Sequence, residues 1–419
     1  MNIGIVIGRI GGIDGVALET EKWIEVFERM GHNCLLLTGE VEGKIKNATL
    51  LPDLSFFHEN CTIEQDMAFF NQDVDENKVA NFIETNSSYI ESQIIKWISD
   101  KNIDLLLAEN SSTIPCHLSM GIALKYVFEK TGIKGLIHNH DFYWERGSRY
   151  KSKYKFINEK MEECFPPVLE NVKHVVINSH GKEILKSHKG IDSLVIPNVM
   201  DFEKSFAQKD EYNSDLLSEL GIEEADIPIF QVTRIVRRKG IETAIQLISS
   251  LKDKKYKLVI TGSAKDDEKL EYFYELKTLI DQYNLRDQVI FAENRFNNYR
   301  YINENGEKVY SLEDAYAYAE AMTYFSTYEG FGNAFVEAIL AKVPVFVNNY
   351  KPVYWPDIGS KGFKTVQIED GILTSKAVSD IGNFLSDKNL SQDIADFNYT
   401  IGKKHYSFEV LESLLSELL

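Results

Sequence analysis

Apolar residues along this chain fall into short runs, and the stretches between them repeat apolar positions at helical spacing. Residues 2–7, Asn-Ile-Gly-Ile-Val-Ile, form a β-rich run that ends in a glycine-rich turn, and residues 16–30 follow with a helical period. Gly31-His32-Asn33 stops that helix, and residues 34–38 supply the next strand. Further strands are predicted at 104–108, 135–138 and 174–177, with a helix at 117–130 and a basic helical stretch reaching about residue 170. Short buried strands alternating with amphipathic helices specify a parallel sheet covered on both faces. Residues 1–200 therefore read as one Rossmann-like domain.

A polar segment, 201–226, reads as a linker, and the alternation then resumes. Strands are predicted at 227–232, 256–260, 289–292, 322–326 and 343–347, and helices at 241–251, 268–283, 312–320 and 333–341. Residues 227–404 make a second Rossmann-like domain, and 405–419 a terminal amphipathic helix that could pack back on the first. The fold class is α/β, with two doubly wound domains. Such sheets hold ligands at the carboxyl ends of their strands, so the function is expected in a cleft between the two.

Composition narrows the classes. With 44% hydrophobic and 26% charged residues over 419 positions, the chain has the balance of a globular protein with a sizeable core. Its formal net charge of -18 repels nucleic acid. Cys34, Cys61, Cys116 and Cys164 are widely spaced with no C-x-x-C pair, which argues against a zinc site or a disulfide framework and fits a reducing cytoplasm. The first residues lack a basic start and a long apolar run, and no segment approaches the roughly 20 apolar residues that cross a bilayer. A cytoplasmic protein is expected.

The richest stretch for chemistry is Thr327-Tyr-Glu-Gly-Phe-Gly-Asn-Ala-Phe-Val-Glu-Ala338. Gly330 and Gly332 allow close backbone approach, the following helix opens with N–H groups suited to an anion, and Glu329 and Glu337 can accept hydrogen bonds from vicinal hydroxyls. Upstream, Arg234, Arg237, Arg238 and Lys239 crowd the loop between a strand and a helix, a local cationic site in an acidic chain. His138, Asn139, His140 and Asp141 close the strand at 135–138; a metal reading is disfavoured because successive side chains of an extended segment point to opposite faces. Arg146, Arg149, Lys151, Lys153, Lys155 and Lys160 follow, with Tyr143 and Trp144 as stacking platforms. That run reads either as a solvated helix face or as an acceptor site for an anionic group. A membrane surface is a further option that the net charge weighs against. Asp73-Val-Asp75 and the acids to Glu84 mimic metal loops, but Lys78 stands where a calcium loop needs glycine, so a solvated loop is expected. Gly8, Gly11, Gly12 and Gly15 miss the dinucleotide spacing.

Arg234 with Lys239, then Glu329-x7-Glu337 and Ala341-Lys-Val-Pro-Val345, resemble the nucleotide-sugar half of a GT-B glycosyltransferase of the retaining family 4 group. The likeness extends through Gly11 and Gly12, the histidine-bearing strand end and Ile196-Pro-Asn-Val-Met-Asp201. It implies transfer of a sugar from a UDP- or GDP-sugar to an acceptor hydroxyl, with no metal ion and no other cofactor. Arg234 and Lys239 would hold the diphosphate and Glu337 the ribose. Glu329, Gly330, Phe331, Gly332, Asn333 and Ala334 would meet the sugar and phosphates, Gly12 would let the first loop approach the donor, and His140 would stand near the transferred sugar. The catalytic set implied is His140, Glu329, Arg234 and Lys239. Tyr143, Trp144, Arg146 and Arg149 are the acceptor candidates, and the loops 263–265 and 293–295 are expected to set donor specificity. The alternative classes are a NAD-dependent oxidoreductase and a two-domain small-molecule binding protein. Base, sugar, acceptor and oligomeric state stay open at this level.

Overall fold

The computed structural model describes residues 1–12, 14–43, 45–264 and 270–419. The chain divides into two compact units, Met1–Pro197 with Leu411–Leu419, and Asn198–Val410. In the first, β1 (Asn2–Ile10), β2 (Asn33–Val41), β3 (Ala48–Leu50), β4 (Leu105–Glu109), β5 (Lys134–Asn139), β6 (Val172–Val176) and β7 (Ser193–Val195) form a sheet in the order β3-β2-β1-β4-β5-β6-β7. Every pairing is parallel. All five residues of β4, Leu-Leu-Leu-Ala-Glu, are buried, as a strand covered on both faces requires.

The second unit carries β8 (Ile227–Gln231), β9 (Tyr256–Ile260), β10 (Val289–Phe291), a small separate sheet of β11 (Phe296–Asn297), β12 (Tyr301–Ile302) and β13 (Lys308–Ser311), and then β14 (Ala321–Tyr324), β15 (Val345–Asn348) and β16 (Gln367–Ile368). Its main sheet runs β10-β9-β8-β14-β15-β16, again parallel throughout. Ile245, Leu258, Ile260, Phe325 and Phe346 lie at its core. Both units are thus doubly wound, and the order within each reverses beside β1 and beside β8. The reversal leaves open strand ends where ligand loops gather.

Several boundaries differ from the sequence reading. Residues 198–226 belong to the second unit, held there by Asp215 on Lys308 at 2.7 Å, Asn213 Nδ2 on Asp314 at 2.6 Å and Arg295 on Glu219 at 2.7 Å. They are a packed flank, not a linker. The last segment, Leu411–Leu419, groups with the first unit, where Lys173 Nζ donates to Leu418 O at 2.6 Å. Residues 73–84 hold no solvated loop beyond Asp75: that side chain accepts from the N–H groups of Asn77 and Lys78 and caps a 26-residue helix, Glu76–Lys101. Val79, Ile83, Ser87, Ile90, Ile94 and Trp97 form its buried seam, and the serine in the middle masks the apolar period. The helix expected from 268 is seen as Glu271–Gln282; its first residues, and Lys265 of the specificity loop, lie outside the described residues. Helices Ser375–Ser386 and Lys388–Tyr406 were not anticipated. Among the described residues, no helix is long and apolar enough to cross a membrane.

Candidate functional site

In the second unit, two loops at the carboxyl ends of neighbouring strands β8 and β14 are stitched together. Thr327 N donates to Arg238 O at 2.7 Å, and the buried Gln231 amide donates to Lys239 O at 2.9 Å while accepting from Thr323 Oγ1 at 3.0 Å. Gly240 stands at φ +61°, and a Cβ there would collide with the Phe325 carbonyl, so this approach needs glycine. The stitching brings Lys239 Nζ within 2.5 Å of Glu329 Oε1 and Arg238 within 2.7 Å of Glu329 Oε2, although ninety residues separate them. Burial pushes the Glu329 carboxyl up, but Lys239 and Arg238 outweigh it and hold it below the ordinary carboxylate range. Lys239 is lowered, by burial first and by the nearby guanidinium groups of Arg238 and Arg234 as well.

The four basic residues of this loop do different things. Arg234 is exposed. Arg237 turns to the surface and forms a two-pronged pair with Glu275 at 2.8 Å. Arg238 and Lys239 close on Glu329. Ile235 N donates to Ser263 O at 2.9 Å and Ala264 N to Glu293 Oε2 at 3.2 Å, so the loops after β8, β9 and β10 are also joined. Glu329 and Glu337 do not share a partner: Glu337, half-buried in the helix Asn333–Leu340, accepts from the buried Tyr316 hydroxyl at 2.7 Å. Of the other donor candidates, Phe331 is buried with its carbonyl taking the Tyr350 hydroxyl at 2.6 Å, and Asn333 Oδ1 accepts from Asn198 Nδ2 at 2.9 Å. Gly330, Gly332 and Ala334 complete the turn into the helix, whose first N–H groups lack partners within it.

In the first unit, Gly12 stands at φ +72° after β1, and a side chain there would run into the Glu42 carboxylate. The room the glycine leaves is beside an acid. At the ends of β4 and β5, parallel register sets Glu109 opposite His138, so their side chains share a face. His140, two residues on, points the same way. Alternation holds, but it puts the two histidines, two residues apart, on one face where both meet Glu109, and it is Asn139 that turns aside, donating to Ile137 O and Val175 O. His138 Nδ1 lies 2.9 Å and His140 Nε2 2.8 Å from Glu109 Oε1. Burial raises the Glu109 carboxyl, but the two imidazoles reverse this and leave it lowered; His138 is lowered by its burial. A second cluster, Cys61, Glu64 and His117, is likewise buried, with His117 Nδ1 2.8 Å from Glu64 and its Nε2 donating to Asp53 O at 2.7 Å. Both groups have ligand-type atoms close together, and the histidine–carboxylate contacts in each have hydrogen-bond length.

The basic run after β5 is mostly neutralised. Arg146 pairs with Asp141, Lys153 with Asp73, Lys155 with Glu159 and Lys160 with Glu163. Trp144 is not an open platform: it stacks on Phe142 at 4.8 Å and on His188 at 4.7 Å. Tyr143 reaches Glu162 at 3.4 Å. Arg149 differs. It is exposed, lies over the Phe70 and Tyr150 rings, donates Nε to the Tyr150 hydroxyl at 3.2 Å and pairs with no carboxylate among the described residues. The sequence reading missed Glu109 and Tyr316 altogether. The signal for Glu109 was a carboxylate ending a wholly apolar run.

Residues 214–398 match the family model described as glycosyl transferases group 1. Over 93% of its length the chain is 34% identical to mannosylglucosylglycerate synthase of Petrotoga mobilis, covering 90% of that protein. The chain belongs to the group 1 glycosyltransferases. The synthase of the same name from Thermotoga maritima is 33% identical, with 99% of each chain covered. Among solved structures, a Rickettsia africae glycosyltransferase overlays with a TM-score of 0.68 at 13% identity, covering 100% of this chain and 97% of its own. Anabaena HepE in complex with UDP gives 0.65 at 13%, covering 100% and 99%. The fold is that of GT-B glycosyltransferases, and the protein is a glycosyltransferase that uses a nucleotide-sugar donor. The oxidoreductase and binding-protein alternatives are set aside by that membership. In this glycosyltransferase the Lys239–Glu329 pair and Glu337 both fall inside the segment matched to the family model.

Proposed function

We propose that this glycosyltransferase moves a mannosyl group, with retention and without a metal ion, from a UDP- or GDP-linked donor to a hydroxyl of a glucosylglycerate-type acceptor in the cytoplasm. The observation that carries the donor half is the Lys239 ammonium held at 2.5 Å on Glu329 and flanked by Arg238, a pre-ordered cationic centre at the strand ends. Arg234 and Lys239 meet the diphosphate and stabilise the charge that grows on it as the bond to the sugar C1 breaks. Glu337, aimed by Tyr316, takes the ribose hydroxyls, and His140 stands beside the transferred sugar. The acceptor oxygen bonds to C1 on the face the diphosphate leaves, and its proton passes to the departing phosphate oxygen. The protein supplies position and charge.

The acceptor half rests on two supports. The two relatives are named for a product that contains glycerate, hence a carboxylate. Arg149, ring-flanked and without a carboxylate partner among the described residues, offers a planar fork suited to one. Four free cysteines, three of them buried, support a reducing compartment.

The test is transfer by the full chain from GDP-mannose and UDP-glucose to glucosylglycerate, with and without EDTA, and the anomeric configuration of the product read by NMR. Retained configuration and unchanged turnover in EDTA are expected, with thermal stabilisation by GDP or UDP and none by NAD. Arg149→Ala is expected to raise the acceptor KM about tenfold, the worth of one charged hydrogen bond, with the donor KM unmoved. An inverted product removes the retaining mechanism, loss of turnover in EDTA removes metal independence, and an unmoved acceptor KM removes Arg149.

A further inference from the structure

The Glu109 cluster has a consequence for which nitrogen of His140 meets the substrate. Glu109 closes β4 with 1% of its surface exposed, and a carboxylate held ionised has only acceptor sites. Both imidazole nitrogens that face it must therefore carry protons. For His138 this places the proton on Nδ1 and leaves Nε2, which is buried and without a partner among the described residues, as a bare lone pair. The Trp23 ring stacked 4.2 Å from the His138 ring fixes that imidazole in place. For His140 the proton sits on Nε2, and Nδ1 is left as an acceptor that no side chain or backbone group among the described residues is seen to use.

The loop between the strands fixes His140 a second time. Asn110, at φ +50°, donates its N–H to His138 O at 2.9 Å, and its Oδ1 accepts the His140 N–H at 3.1 Å. Thr113 Oγ1 holds the same Oδ1 at 2.6 Å. The ring of His140 is thus set by Glu109, the last residue of β4, and its backbone by Asn110, which follows.

We propose that Glu109 is a positioning residue of this glycosyltransferase: it locks His140 in the Nε2–H tautomer, so that Nδ1 accepts a hydrogen bond from a hydroxyl of the transferred sugar. This rests on the reading of His140 as the group beside that sugar. A histidine free to change tautomer would offer a donor or an acceptor at Nδ1 in turn; the buried carboxylate removes the choice.

Two measurements test it. In the full chain labelled with ¹⁵N-histidine, long-range ¹H–¹⁵N spectra, assigned with His140→Ala and His138→Ala, are expected to show His140 as Nε2–H. An Nδ1–H signature overturns the proposal without reference to activity, and decides it alone should Glu109→Gln not fold. In kinetics, Glu109→Gln is expected to lower kcat about tenfold or more, the scale of one misplaced hydrogen bond. Because Glu109 acts through His140, the same change in a His140→Ala background is expected to cost less than twofold. Wild-type turnover in Glu109→Gln, or losses that multiply in the double variant, overturn the proposal. Wild-type turnover in His140→Ala instead removes the site reading beneath it.

Discussion

Replacing Glu329 by alanine takes from Lys239 and Arg238 the carboxylate they share. Lys239 and Glu329 have side chains only 13% and 10% exposed, so the variant leaves an ammonium in a poorly solvated place beside two guanidinium groups. Removing one partner of a buried pair costs about 3–5 kcal/mol, and the partial opening at Arg238, 38% exposed, places this site at about 3 kcal/mol. At about 2–4 °C per kcal/mol for a unit of this size, the melting temperature of the second unit should fall by about 6–12 °C. Lys239→Ala should cost less, because Glu329 keeps its 2.7 Å bond to Arg238. The double variant should then lose little more than Glu329→Ala, with a coupling of about 1–3 kcal/mol. Denaturant and thermal unfolding of the four proteins measure the cycle, and transfer assays on the same samples should show Lys239→Ala nearly inactive although folded. Additive losses within about 0.5 kcal/mol, or a Glu329→Ala protein that melts with the wild type, would refute the pair as the organiser of the donor site.

Glu337→Ala should sharply reduce transfer through donor binding while the melting curve stays near wild type, and Tyr316→Phe, which only removes the hydrogen bond that aims the carboxylate, should raise the donor KM about tenfold; an unmoved KM in Tyr316→Phe counts against the ribose role. His174 is pushed down to about 4 by burial, with Nε2 on Pro167 O at 3.1 Å and Nδ1 buried without a partner among the described residues. Below about pH 6.5 the unfolded chain binds this proton and the fold does not, so stability is full above 6.5 and falls by about 3 kcal/mol as pH drops toward 4. Melting curves across that window should flatten in His174→Gln relative to wild type, and parallel curves would show that His174 does not carry the effect.

Much of the architecture was legible because it is written in local period. Runs such as Leu-Leu-Leu-Ala-Glu, Ile-Pro-Ile-Phe-Gln and Val-Phe-Val-Asn are too apolar for any place but a covered strand, and both parallel sheets follow from their alternation with helices. The helix Glu76–Lys101 escaped because Ser87 and Glu91 occupy buried positions in its seam, so its period is visible only to packing. The hairpin around β12 and β13 escaped because its strands are two and four residues long, below what alternation can register.

Of the candidate site residues, Arg234, Lys239, Glu329 and Glu337 stood out because each sits in a short contiguous motif, and His140 was singled out by the family resemblance. Their partners could not be named in this way. Lys239 meets Glu329 across ninety residues, Tyr316 meets Glu337 from a different helix, and Glu109 meets His138 and His140 through the register of β4 on β5. Period and motif are properties of neighbours along the chain, so the sequence determined which elements form and which chemistry they carry. Which carboxylate neutralises which cation, and which nitrogen of a histidine stays bare, depends on strands and loops brought together from distant positions, and only the tertiary structure decided it.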